Sequence, residues 1–263
     1  MRLDKKKDFK ILALFCSVSI LLVALTFVLP LNGAVSYSEY WAPVWVAVTH
    51  TGSATGVSVI ILVFSILFGL RYKNIKQGLW PAVLTLVLLA TAVGGTALFN
   101  EFVFKERLKV YRPSILQLEK YDNLDATEFY GQNGKAMRRA FLKNHLDNAH
   151  GERVYLDGKP LTDVVLTEWV RSVGYSFPSG HSVSAFLLVT LIAYYLFIRN
   201  RLKKIWIPGA LYLWAVVIAY SRVLIGVHSP TDISLGALWG STIAFTLIAT
   251  GLLDKLWKDR PTV

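Results

Sequence analysis

The stretch Leu79–Phe99, LWPAVLTLVLLATAVGGTALF, runs 21 residues without a charge. A helix needs roughly 17–25 residues to cross the core of a bilayer, so this segment fits one crossing. Working outward, five more apolar stretches meet the same test: Ile11–Leu31, Ala54–Leu70, Ser182–Ile198, Ile205–Gly226 and Ile233–Leu253. The sequence therefore predicts an all-α fold, a six-transmembrane-helix bundle forming a single domain over residues 1–263. Composition agrees. The chain is 54% hydrophobic and 17% charged, with a mean hydropathy of +0.47; a soluble domain carries about 25% charged residues. The apolar excess excludes long disorder, and Cys16 as the only cysteine excludes a disulfide scaffold. A basic start and Gly33-Ala34 would suit a signal peptide. The apolar run Ile11–Pro30 exceeds the roughly 7–15 residues of a signal core, however, so an uncleaved span is expected.

The net charge of +11 could point to nucleic acid, but its distribution does not. Four short segments hold fifteen cations: Arg2, Lys5, Lys6, Lys7 and Lys10; Arg71, Lys73 and Lys76; Arg199, Arg201, Lys203 and Lys204; Lys255, Lys258 and Arg260. Only Asp4, Asp8, Asp254 and Asp259 oppose them there, so these segments account for the whole net charge. Each flanks an apolar run, and with six spans all four fall on one side. The positive-inside bias makes that side cytoplasmic, predicting a multi-pass membrane protein with both termini in the cytoplasm. The segment Leu31–Ser53 has no lysine or arginine and carries Tyr37, Tyr40, Trp41 and Trp45. It suits the outer interface, as a helix lying on the membrane.

One polar insertion remains, residues 100–176. Its 12 cations and 11 acids nearly balance, and with its scattered apolar residues it reads as a small helical cap, not a disordered tether. Val164, Val165, Trp169 and Val170 mark an amphipathic helix over Leu161–Val173 with Gly174 as its stop. At this length loop charge no longer dictates sidedness, so the insertion is expected on the periplasmic face.

Three clusters fall on that same face. The first is Lys105-Glu106-Arg107-Leu108-Lys109-Val110-Tyr111-Arg112-Pro113, the second Pro178-Ser179-Gly180-His181, and the third runs from Ser221-Arg222 through His228 to Asp232. Each has a plain structural reading. Lysines and arginines beyond a span snorkel; Pro-Ser-Gly starts a helix; His181 suits an interface; Asp232 complements a helix N-terminus. Arg222 needs a partner near the membrane. All of these readings would have to hold together at one membrane depth, and that convergence points to a site.

At these residues the chain resembles the type 2 phosphatidic acid phosphatase superfamily. Lys105, six residues, then Arg112-Pro113 resembles its first motif; Pro178-Ser179-Gly180-His181 its second; and Ser221-Arg222, five residues, His228, three residues and Asp232 its third. The similarity is greatest to one bacterial branch and there takes in the six spans, the insertion, Leu118-Glu119-Lys120 and Glu128-Phe129-Tyr130. Ser229 stands where many relatives have an aromatic residue, and Lys109 competes with Lys105 for the phosphate role.

The resemblance implies an integral membrane lipid phosphatase that needs no cofactor and no metal and takes its substrates from the bilayer. Lys105 supplies a point charge, and Arg112 and Arg222 supply forked donors matched to phosphate. The Ser179 hydroxyl and the Gly180 amide add donors at a helix N-terminus. Such fixed donors lower the barrier to phosphoryl transfer. His228 is then the nucleophile that forms a phosphohistidine, Asp232 fixes its tautomer, and His181 protonates the leaving oxygen and later activates water. Candidate substrates are phosphatidylglycerophosphate, undecaprenyl diphosphate, phosphatidate and its lyso form, with lipid A as an alternative. A transporter would place ionisable groups midway through the spans, and none lies there. The related vanadium-dependent haloperoxidases are soluble, which six spans contradict. Oligomeric state is not legible in the sequence.

Overall fold

The computed structural model describes residues 2–150, 154–199 and 204–257. Arg201, Lys203, Lys258 and Arg260, which helped to set the expected orientation, lie outside the described residues. So does Arg153 of the insertion.

Helix α1 (Arg2–Ala24) carries the first apolar stretch into a tighter turn at Leu25–Phe27. The aromatic-rich segment that follows forms α2 (Trp41–Thr51). At Gly52-Ser53 the chain bends by 52° into α3 (Ala54–Gly69). The Ser53 hydroxyl accepts the Gly56 N–H at 3.3 Å, so a new helix starts there. Asn74 caps α4 (Ile75–Phe99) in the same way, accepting the Gln77 N–H at 2.9 Å. The helix does not stop at Phe99. It widens through one π-type turn at Asn100–Phe104 and runs on as α5 (Lys105–Leu108), so the first motif begins inside the span.

The insertion holds α6 (Pro113–Asp122), α7 (Ala126–Gly131), α8 (Gly134–His150) and α9 (Asp163–Arg171). It also holds a departure from the all-α expectation. Strands β1 (Tyr155–Leu156) and β2 (Lys159–Pro160) pair antiparallel across Asp157-Gly158. Both turn residues have positive φ, +52° and +71°, as a tight hairpin turn requires. The last four helices are α10 (Gly180–Ala193), α11 (Trp206–Leu224), α12 (Pro230–Ala249) and α13 (Leu252–Leu256). Among the described residues five helices are long and apolar enough to cross a membrane, with a sixth if α2 and α3 count as one bent span. The chain is a multi-pass membrane protein.

Helix α10 is the hub. Its apolar stretch is 89% buried, against 17% for the run through α4 and α5, because α12, α11, α4 and α1 all pack against it. Helix α12 packs on it through Gly236 and Gly240. A Cβ on Gly236 would lie 2.9 Å from the Ser179 carbonyl oxygen, and one on Gly240 would overlap the Val183 carbonyl. Small residues four apart allow this approach, and it brings the Ser179 N–H to the Asp232 carbonyl at 3.0 Å. Leu21, Leu62, Leu67, Trp80, Val87 and Leu98 cover the outer faces of α1, α3 and α4. Such an apolar surface fits lipid, not water.

The insertion has a core of its own, built on Ile115, Leu118, Phe129, Leu142, Leu156, Val165 and Trp169. Ile225 and Val227, from the turn between α11 and α12, are part of it. Trp169 Nε1–H donates to the Ile225 carbonyl at 2.7 Å. The cap is thereby fastened to the turn that carries His228.

Candidate active site

At one end of the bundle the three motif segments surround a cavity of about 680 Å³. Its polar end is lined by Lys105, Arg112, Gly180, His181, Arg222 and His228. Its apolar end runs between α3 and α4, along Val57, Ile61, Leu86, Ala90 and Val93. The cavity thus offers cations at one extremity and hydrocarbon-like walls at the other.

His228 sits in the turn Ile225–Ser229. Gly226 takes φ +74° there, a conformation open to glycine. The N–H groups of Val227 and His228 both donate to the Arg222 carbonyl, at 3.1 and 3.2 Å. Ser229 and Asp232 then start α12 with a reciprocal cap. The Ser229 N–H donates to Asp232 Oδ2 at 2.7 Å, and the Asp232 N–H to Ser229 Oγ at 3.2 Å. A serine at position 229 thus has a structural task that an aromatic residue would not perform. The cap aims the Asp232 carboxylate at His228, whose Nδ1 lies 3.4 Å from Oδ2. Ser176 completes the group: its Oγ is 3.2 Å from His228 Nδ1 and donates to Asp232 Oδ2.

On the other side of the ring, His228 Nε2 lies 3.1 Å from Arg112 Nη1. A guanidinium only donates, so Nε2 accepts and the ring proton belongs on Nδ1. Burial, joined by the positive charge of Arg112, lowers the His228 imidazole from its usual range to about 3, despite the opposing pull of Asp232. The ring is neutral, and the lone pair on Nε2 accepts the Arg112 N–H at the edge of the cavity that His228 lines.

Arg112 does more than present a fork to the cavity. Its Nε donates to the Gly174 carbonyl at 2.7 Å, Nη1 to Val227 at 3.1 Å and Nη2 to Tyr175 at 3.3 Å. Its backbone N–H donates to the Tyr130 hydroxyl at 2.9 Å. Tyr130 is stacked between Tyr111 and Tyr175, with ring centroids 4.1 and 4.9 Å away. Burial pushes its phenol up to about 12, so the hydroxyl keeps its proton. Gly174 is not the stop of α9 that its position implied. The helix ends at Arg171, and Gly174 lies beyond it, holding Arg112.

Arg222 is 1% exposed. Its Nη1 donates to Thr49 Oγ1 at 2.8 Å and to Glu168 Oε1 at 3.2 Å, and its Nη2 to Ser172 Oγ at 3.4 Å. The buried Nε has no partner among the described residues. The second oxygen of Glu168 lies 3.3 Å from His50 Nε2. Sequence reasoning missed Thr49, His50, Glu168 and Ser176. A signal for Glu168 was present: Val165, Glu168, Trp169 and Ser172 share one helix face, which puts a carboxylate on the apolar stripe.

Lys105 is buried, lines the cavity and pairs with Glu101 at 2.9 Å; Glu101 also meets Lys135 of α8. Its competitor Lys109 is exposed at the end of α5 and does not line the cavity. Ser179 is the site residue that the structure places differently from the expectation. Its hydroxyl caps α10, accepting the Ser182 N–H at 3.5 Å, and it is fully buried away from the cavity that Gly180 and His181 line.

Comparison of the sequence with known proteins places it in a family. Phosphatidylglycerophosphatase B of Haemophilus influenzae is 25% identical over 219 residues, covering 79% of each chain. An undecaprenyl-diphosphatase of Sulfolobus acidocaldarius is 40% identical over 89 residues, covering 33% of this chain and 40% of its own. A Bacillus subtilis crystal structure described as the first transmembrane PAP2 type phosphatidylglycerolphosphate phosphatase aligns over 98% of both chains at 17% identity, with a TM-score of 0.48. The model of the PAP2 superfamily matches residues 80–253, a stretch that contains all three motif segments. The chain belongs to the PAP2 superfamily.

Proposed function

We propose that this protein is an integral membrane lipid phosphatase that hydrolyses phosphomonoester or diphosphate groups of lipids through a phosphohistidine. The observation that carries the reading is the two-sided setting of His228, which lines the cavity: Nε2 meets the Arg112 guanidinium, and Nδ1 meets Ser176 and Asp232. His181 lines the same cavity.

His228 Nε2 attacks phosphorus as the bond to the lipid oxygen breaks, and that oxygen takes a proton from His181. A water then gives its proton back to His181 and attacks phosphorus, releasing phosphate and restoring Nε2. Arg222, Lys105, the Gly180 amide and the Arg112 Nη1–H, which turns from Nε2 to the substrate as the lone pair attacks, donate to the phosphate oxygens. The lipid tail follows the apolar end of the cavity between α3 and α4. In this reading α2 and α3 form one bent span, giving six crossings in a single domain. Both termini face the cytoplasm of a bacterial inner membrane, and residues 100–176 cap the site on the periplasmic side. The names of the relatives support phosphatidylglycerophosphate and undecaprenyl diphosphate as first substrates to test.

The test is phosphate release by the purified protein in detergent over those two lipids, phosphatidate, its lyso form and lipid A. Release from at least one is expected, with His228→Ala inert though folded. Turnover by His228→Ala at the wild-type rate would remove the nucleophile from the scheme.

A further inference from the structure

The proton-bearing side of His228 meets a hydroxyl that the three motifs do not contain. Ser176 Oγ stands 3.2 Å from His228 Nδ1, nearer than the 3.4 Å to the carboxylate, and donates its own proton to Asp232 Oδ2. One hydroxyl can accept from Nδ1–H and donate to a carboxylate at once, and it has the lone pairs and proton for both. We propose that Ser176 is a positioning residue of the reaction, linking His228 to Asp232 as an imidazole–hydroxyl–carboxylate chain that holds the ring with Nε2 toward phosphorus.

The link is built rigidly. Ser176 has no exposed surface, and its N–H donates to the Val110 carbonyl at 2.8 Å. The preceding residue, Tyr175, is stacked on Tyr130 and holds Arg112 through its carbonyl. The Asp232 oxygen that receives the hydroxyl is also fixed by the Ser229 N–H at 2.7 Å. When Nε2 bonds to phosphorus, the ring becomes positive and keeps its proton on Nδ1. That proton stays hydrogen-bonded to Ser176 Oγ, and the charge is felt by Asp232 through the Ser176 O–H. No proton needs to leave the chain. Ser176 does not line the cavity, so its effect falls on the chemical step and not on lipid binding.

The proposal rests on His228 as nucleophile, and the experiment separates the two. Ser176→Ala, Asp232→Asn, the double variant and His228→Ala are compared in phosphate release, with melting temperature as the check on folding. Ser176→Ala is expected to lose about tenfold in kcat at unchanged KM, the worth of one hydrogen bond in the transition state. The double variant is expected to be no slower than Asp232→Asn alone, because the two residues act as one chain. Ser176→Cys, close in size and a weaker donor, is expected to fall between wild type and alanine; it serves as the probe if the alanine variant unfolds. Wild-type kcat in Ser176→Ala or in Ser176→Cys, or losses that multiply independently, overturns the role of Ser176 while an inert His228→Ala leaves the nucleophile standing. An active His228→Ala overturns both.

Discussion

Glu168→Gln tests how the site holds a buried cation. Arg222 and Glu168 are 1% and 6% exposed, and their charges meet at 3.2 Å. Removing one partner of a buried pair leaves the other uncompensated, at about 3–5 kcal/mol. Arg222 keeps hydrogen bonds to Thr49 and Ser172, and glutamine keeps an acceptor, so the lower end, about 3 kcal/mol, is expected. That is a shift of roughly 150-fold in the folded-to-unfolded ratio. The contact of Glu168 with His50, whose side chain is 45% exposed, adds little. The assay is unfolding in mixed detergent with increasing dodecyl sulfate, with and without orthovanadate. An anion in the cavity returns a negative charge to Arg222, so vanadate should protect Glu168→Gln more than wild type. Equal stability of the two proteins, or equal protection by vanadate, would refute the view that Glu168 compensates Arg222.

Three further outcomes test the packing of α12, the lipid-facing side of α4 and the state of the His228 ring. Gly240→Ala drives a Cβ into the Val183 carbonyl, so α12 must move off α10; a loss of roughly 1–3 kcal/mol and a marked fall in phosphate release are expected. Gly95→Ala, where a Cβ meets nothing within 4 Å, should leave melting and turnover unchanged. The depressed His228 also gives a pH effect whose sign is set: its folded value is about 3 and its unfolded value about 6.5. Below 6.5 the unfolded chain binds a proton that the folded one refuses, so stability falls as pH drops from 6.5 toward 3. Melting at pH 7.5 and pH 5 should therefore show a larger loss in wild type than in His228→Asn, and equal losses would count against a neutral buried ring.

The membrane spans were legible because lipid leaves the backbone so few choices. An uncharged run of about 20 residues has to be a helix, and Leu79–Phe99 forms one. The motif residues were legible because phosphate chemistry needs cations, histidines and a carboxylate close together. What escaped was set by packing. The run from α4 continues through Lys105 to Leu108, although its charges had marked the end of the span. The Asp157-Gly158 turn is a hairpin signal, but its flanking strands are two residues each and too short to show an alternating pattern. Glu168 is one of eleven acids in the insertion, and only its helical spacing sets it apart, beside Val165 and Trp169 in the cap's interior. Ser176 carries no charge and no motif, and its role arises only when residues 52 and 56 positions away are folded against it.

Arg112 behaves as a rivet. A single side chain pins the strand of residues before α10, at Gly174 and Tyr175, to the turn at Val227, while its own backbone is tied to Tyr130. A dead Arg112 variant would therefore be silent about phosphate recognition, since the enclosure would come apart before any ligand arrived. The same tie means that drift in this part of the cap is felt directly at the reacting nitrogen, so the cap and the bundle have to change together or not at all.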